Sequence, residues 1–284
     1  RVRTNFVDFI ELEAHTDGLS PAKRIAPPDG GLNYPDRIAG ATLERLEANT
    51  TQPIWYSVDV PSGTPAGVYT GTVTVSADQG TVAVPVTLRV YGVELPNTNE
   101  SDYRVDNWFA SAGWDPSTWM AMNRQYGIEQ WSDEWWTLME KYAVYMEEHR
   151  NNTIWIDPVA YLEPLTTIDG DGRYRFDWAL FDRAVQIYID AGAMKYLHGV
   201  SLMNKNGSAG FRVQMLENDA GRAKLAYVDA RSAEADAWLE AYLPALRAHL
   251  EEKGWLDVFY QSGGDEPAND ADRADNNWLY DKVH

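Results

Sequence analysis

The sequence predicts a β-sandwich domain over residues 1–96, followed over residues 101–284 by the N-terminal half of an α/β barrel of the TIM type. Short alternating strands separated by Gly/Pro turns occupy the region before residue 95. After residue 100 the rhythm changes to strand then helix, repeated. Four such units fit into the remaining length, where a complete barrel takes eight strands and roughly 250 residues.

In the first domain, Asn5 to Glu13 carries a weak strand signal, and Ser20 to Asp36 reads as a long polar loop. Gln52 to Val60 is a strand rich in aromatic and β-branched residues, and Pro61 to Gly67 is turn chemistry. Val68 to Val75 alternates, Asp78-Gln-Gly80 reverses the chain, and Thr81 to Tyr91 completes a hairpin. Leu95 to Glu100 is the linker.

In the second domain, Tyr103 to Phe109 predicts the first strand. A helix runs from Ser132, a suitable N-cap, to Glu148. Thr153 to Asp157 is the second strand, Asp177 to Ala191 a helix closed by Gly192, and Met194 to His198 the third strand. Ser232 to Lys253 is a helix stopped by Gly254, and Leu256 to Gln261 is the fourth strand. Repeated units of this kind imply parallel pairing by right-handed crossovers. The expected remainder of the barrel lies outside these residues or on a second chain that completes it.

The charge balance narrows the range of partners. Forty-three acidic against 24 basic residues give a net charge of −19, which repels phosphate backbones and anionic membranes. No apolar run approaches the ~18 residues of a membrane span. There are no cysteines, which excludes disulfides, thiolate nucleophiles and Cys-ligated zinc. The absence of cysteine also fits an extracellular or periplasmic bacterial protein. Asp169-Gly-Asp-Gly172 lacks the further ligands of a calcium loop and reads as a hairpin turn. Neither a metal nor a cofactor is expected. Most of the 12 Trp and 16 Tyr read as core, but indole also packs well on the C–H faces of sugar rings, so Trp near loop ends points to carbohydrate.

Gln261-Ser-Gly-Gly-Asp-Glu-Pro267 follows the fourth strand, at the end where barrels carry catalytic groups. Two adjacent carboxylates, Asp265 and Glu266, can divide labour between proton transfer and charge stabilisation. Consecutive strand residues point to opposite faces. Both acids can therefore serve one site only if the strand has ended, which Gly263-Gly264 and Pro267 permit. By strand position, Trp108, Asn107, Trp155, Asp157, His198 and Gln261 also occupy the rim as candidate sugar contacts. For Trp108, sugar stacking competes with core packing, and a lone histidine such as His198 is more often a structural hydrogen-bonder than a catalyst. Trp114 falls in the following loop as a further sugar contact. Trp135 and Trp136 are neighbours on one helix, so core packing is expected to explain one of them at most.

Several stretches resemble glycoside hydrolase family 123. Gln52-Pro-Ile-Trp55 with Pro65-Ala-Gly-Val-Tyr-Thr-Gly71 resembles the family's N-terminal sandwich. Phe176-Asp-Trp-Ala-Leu-Phe-Asp182 with Ala191-Gly-Ala193 resembles its barrel helix, and Gly254-Trp-Leu-Asp257 leading to Asp265-Glu-Pro267 resembles its catalytic strand. The resemblance implies hydrolysis of β-linked N-acetylgalactosamine with retention, the substrate's acetamido group acting as nucleophile. It implies Glu266 as general acid and then base, with Asp265 orienting the acetamido group. The competing expectation is a carbohydrate-binding or surface protein that keeps this architecture without catalysis.

Overall fold

The computed structural model describes residues 2–12, 32–40, 46, 49–108, 126–205 and 210–283. The chain forms two compact units, Arg1–Glu94 and Leu95–His284.

In the first unit, β1 (Val2–Leu12) is the centre of a three-stranded antiparallel sheet. Its neighbours are β2 (Leu32–Ile38) and β3 (Ile54–Val58). Residues 32–36, expected as loop, are therefore strand: Tyr34 and Pro35 pair with Ile10 and Phe9 across a bulge. The bulge lets a proline, which cannot donate to the ladder, sit in a paired edge strand. β4 (Gly67–Ala77) and β5 (Gly80–Val90) form the expected hairpin in unbroken register. The structure supports two antiparallel sheets here, a coarser statement than a sandwich.

The second unit opens on a single parallel bridge, Asp106 to Thr153, where a strand over 103–109 was expected. Two buried asparagines replace the missing ladder. Asn152 Oδ1 accepts from Val105 N (3.0 Å) and Asn151 Oδ1 from Asn107 N (3.0 Å). Helix α1 (Asp133–Glu148) starts on Ser132, whose Oγ accepts from Trp135 N at 3.2 Å. Strand β6 (Thr153–Ile156) is wholly buried and runs into the short helix α2 (Pro158–Leu162). Strands β7 (Thr167–Ile168) and β8 (Tyr174–Arg175) enclose the Asp169 turn, whose Oδ1 accepts from Asp171 N and Arg173 N. Helix α3 (Ala179–Asp190) leads through Gly192, in left-handed conformation at φ 73°, to β9 (Tyr196–Gly199).

An antiparallel excursion outside the strand–helix rhythm follows. Strands β10 (Met203–Lys205), β11 (Phe211–Asp219) and β12 (Arg222–Asp229) join β7 and β8 in a five-stranded antiparallel sheet. Helix α4 (Ala233–Lys253) is capped by Ser232 Oγ accepting from Ala235 N (3.1 Å) and ends on Gly254 at φ 71°. The expected fourth strand is shorter than its pattern. Residues 256–258 form a 3₁₀ turn and only β13 (Phe259–Gln261) pairs, parallel to β9. Helix α5 (Asp270–Val283) follows.

The Asp106 bridge, β6, β9 and β13 thus lie side by side in chain order and all parallel. Helices α1, α3 and α4 supply the core through Trp135, Trp136, Phe181, Tyr188, Trp238 and Tyr242, each 1% exposed or less. Trp135 and Trp136 are both buried, against the expectation of one at most. The helix is covered over a wide arc: Trp131 and Tyr161 pack on Trp135, Arg183 of α3 lies over the Trp136 ring, and Trp136 Nε1 donates to Trp131 O (3.1 Å).

Candidate active site at the C-terminal ends of the parallel strands

Strand β13 ends at Gln261, and the chain then continues irregularly along β10. Leu202 N donates to Ser262 O (3.2 Å), and Met203 forms a parallel bridge with Gly264. Asn276 of α5 clamps Gly264 from both sides: its Oδ1 accepts from Gly264 N (2.8 Å) and its Nδ2 donates to Gly264 O (3.1 Å). A side chain at either glycine would crowd its neighbours. A Cβ on Gly264 would stand 2.8 Å from Asn276 Oδ1 and 2.9 Å from the Phe211 ring, and one on Gly263 would stand 3.0 Å from the Tyr280 hydroxyl.

This clamp presents Asp265 and Glu266, both exposed. Glu266 has φ 49°, and its backbone N–H donates to Asp265 Oδ1 at 2.9 Å. A left-handed residue is not strand, so the alternation that would send the two side chains to opposite faces no longer applies. A non-glycine residue held there carries backbone strain of roughly 1–3 kcal/mol, a feature that clusters at functional sites.

Trp108 and Trp155 also lie at this end of the sheet. Their rings stack with centroids 5.5 Å apart and planes at 20°. Trp155 is 6% exposed and Trp108 60% exposed, so one indole is the floor and the other presents an open face. Asn107 lies beside Trp108, and its Nδ2 donates to Asn151 Oδ1 (2.9 Å).

The remaining rim candidates are committed to the framework. Asp157 is fully buried and caps α2, accepting from Val159 N and Ala160 N at 3.1 and 3.2 Å, while its Oδ2 accepts from Gln214 (2.9 Å). Gln261 folds back, and its Nε2 donates to Val200 O and Ser262 O. His198 is 8% exposed with Asp106 on one nitrogen and Ser262 on the other. Trp114 lies outside the described residues.

Asp106 and Ser262 were not singled out from the sequence. Only the pairing of β6, β9 and β13 brings residues 106, 198 and 262 together. Tyr260, which donates to Asp106 Oδ2 at 3.1 Å, has its phenol pushed up to about 12 by burial and then by the Asp106 charge. Among the described residues no cluster of three or more His, Asp or Glu could hold a metal ion. No described helix is long and apolar enough to cross a membrane.

No curated protein matches the chain. Among solved structures, the fold is similar to a family 123 glycoside hydrolase from Clostridium perfringens described in work on glycolipid glycan hydrolysis, with a TM-score of 0.68 and 16% identity. The match covers 99% of this chain and 48% of that one, so this chain spans about half its length. The N-terminal domain of glycoside hydrolase 123 matches residues 25–77. The catalytic domain of glycoside hydrolase 123 matches residues 117–281, more than half of the chain and inclusive of the Asp265–Glu266 loop. On that match the chain belongs to glycoside hydrolase family 123.

Proposed function

We propose that this chain carries the acid/base pair of a retaining glycosidase acting on β-linked 2-acetamido sugars, with Glu266 and Asp265 as its working groups. The observation that carries the reading is an exposed carboxylate pair, with Glu266 in the left-handed region, on the loop that Asn276 clamps at the C-terminal end of the fourth parallel strand. In this reading the parallel strands are the first half of a (β/α)8 barrel, and the two antiparallel sheets of the first unit belong to a β-sandwich accessory domain.

The chemistry divides into two steps. Glu266 gives its proton to the glycosidic oxygen as the C1–O bond breaks, and the acetamido carbonyl oxygen closes on C1 from the opposite face. Asp265 accepts the amide N–H and stabilises the positive charge of the resulting oxazolinium. Glu266, now a carboxylate, takes a proton from water as that water opens the ring at C1. Two inversions give net retention. The Trp108 face, backed by Trp155, stacks on the sugar ring.

Turnover of an aryl 2-acetamido-2-deoxy-β-galactoside by the protein and its Glu266→Gln variant tests this directly. Loss of a general acid/base is expected to lower kcat roughly 10²- to 10⁴-fold. Equal turnover by both proteins removes Glu266 from the mechanism. The exposure of both residues favours a second reading, sugar binding without cleavage. That reading predicts that wild type and Glu266→Gln bind the intact glycoside equally and that neither hydrolyses it.

A further inference from the structure

Three residues far apart in sequence form a continuous hydrogen-bonded chain beneath the carboxylate loop. Asp106 Oδ2 lies 2.5 Å from His198 Nδ1, and His198 Nε2 lies 2.6 Å from Ser262 Oγ. A carboxylate oxygen only accepts, so His198 Nδ1 donates to Asp106, and Nε2 shares the second hydrogen bond with the Ser262 hydroxyl. Tyr260 stacks on the imidazole with centroids 4.3 Å apart and ties its own hydroxyl to the same Asp106 oxygen. Arg104 sits 5.3 Å from the Tyr260 ring centroid. Asp106 belongs to the first parallel position, His198 to the third, and Ser262 is the first residue beyond the fourth. The backbone of Ser262 is held as well, its N–H donating to Gly199 O at 3.2 Å and its carbonyl accepting from Leu202 N at 3.2 Å.

We propose that Asp106, His198 and Ser262 are positioning residues that fix the Asp265–Glu266 loop against the sheet. This rests on the hydrolase reading above. Ser262 is the last residue before the glycine pair, and rotation there would swing both acids. Its hydroxyl is the only side-chain atom of the loop's first residue that can hold it, and His198 orients that hydroxyl. A misplacement of about 1 Å in a reacting group costs roughly 10²-fold in rate.

The test is steady-state kinetics on the aryl 2-acetamido-β-galactoside for Ser262→Ala, His198→Ala and His198→Gln beside Glu266→Gln, with hydrogen exchange of residues 262–268. Ser262→Ala and His198→Ala are each expected to lower kcat roughly 10- to 10²-fold while KM stays within about two-fold. The double variant is expected to be no worse than either single one, because both cut the same chain. His198→Gln, whose amide reaches towards the Nε2 position, is expected to recover most of the loss. Exchange across 262–268 is expected to quicken in Ser262→Ala. Wild-type kcat in Ser262→Ala and His198→Ala, with Glu266→Gln inactive, overturns the positioning role and leaves the hydrolase reading standing. If wild type itself has no turnover the hydrolase reading fails, and unchanged exchange in Ser262→Ala overturns the anchor as well. Stoichiometric labelling of Ser262 by a phosphonofluoridate makes it a nucleophile and overturns the proposal.

Discussion

At the residue scale, the backbone of Glu266 and the two glycines before it set the terms. Glu266 sits at φ 49°, where a side chain is a burden and glycine is not. Glu266→Gly is therefore expected to abolish turnover while leaving stability unchanged or up to about 1 kcal/mol higher, read by chemical denaturation. Gly264→Ala runs the other way: its methyl would meet Asn276 Oδ1 and the Phe211 ring. A cost of roughly 1–3 kcal/mol and loss of the Asn276 clamp are expected. Tyr260 supplies a pH prediction. Its folded-state pKa is raised from 10.0 to about 12 by burial and Asp106, so the folded protein keeps a proton that the unfolded chain releases. Its contribution is complete below pH 10 and is lost as pH climbs to 12. Tyr260→Phe should flatten the fall in stability over that window in alkaline titrations. The Asp-Glu pair was visible in the sequence as a candidate, because two adjacent acids between glycine and proline directly follow a strand. The anchor under them was not, because Asp106 and Ser262 look like ordinary loop residues until the sheet is formed.

At the scale of elements, local signals were reliable where they act locally. Ser132 and Ser232 cap α1 and α4, and Gly192 and Gly254 adopt left-handed conformations just past the ends of α3 and α4. Ser232→Ala is expected to cost about 1 kcal/mol, seen as a lower Tm without change in the far-ultraviolet spectrum. The β11–β12 hairpin has a local signal of its own: Phe211 to Leu216 is apolar with polar breaks, and Asn218 to Gly221 is turn chemistry. A strand–helix rhythm on either side of it hid an antiparallel excursion. Trp135 and Trp136 show the converse limit. Helical periodicity says how far apart two side chains point, not how much of the helix its neighbours will cover.

At the scale of the molecule, the two units differ in how much apolar surface they bury. The described core lies almost wholly in the second unit, on Trp135, Trp136, Phe181, Tyr188, Trp238 and Tyr242, whereas Val7 is the one described buried apolar residue of the first. Hydrophobic burial is the main favourable term in folding. Amide exchange is therefore expected to be faster across the β4–β5 hairpin than across α1 and α4, and equal protection in both would contradict this ordering. What the sequence by itself determined are the features written in neighbouring residues: strand and helix segments, caps, turns, the hairpin, the charge, and the acid pair beside its glycines. Only the tertiary structure decided which rim residues are free and which are spent. Asp157 went to capping, Gln261 to the backbone and His198 to Asp106 and Ser262, while Trp108 kept an open face. The reason is that hydrogen-bond partners are chosen by strand register across the sheet, and register brings together residues that share no pattern along the chain.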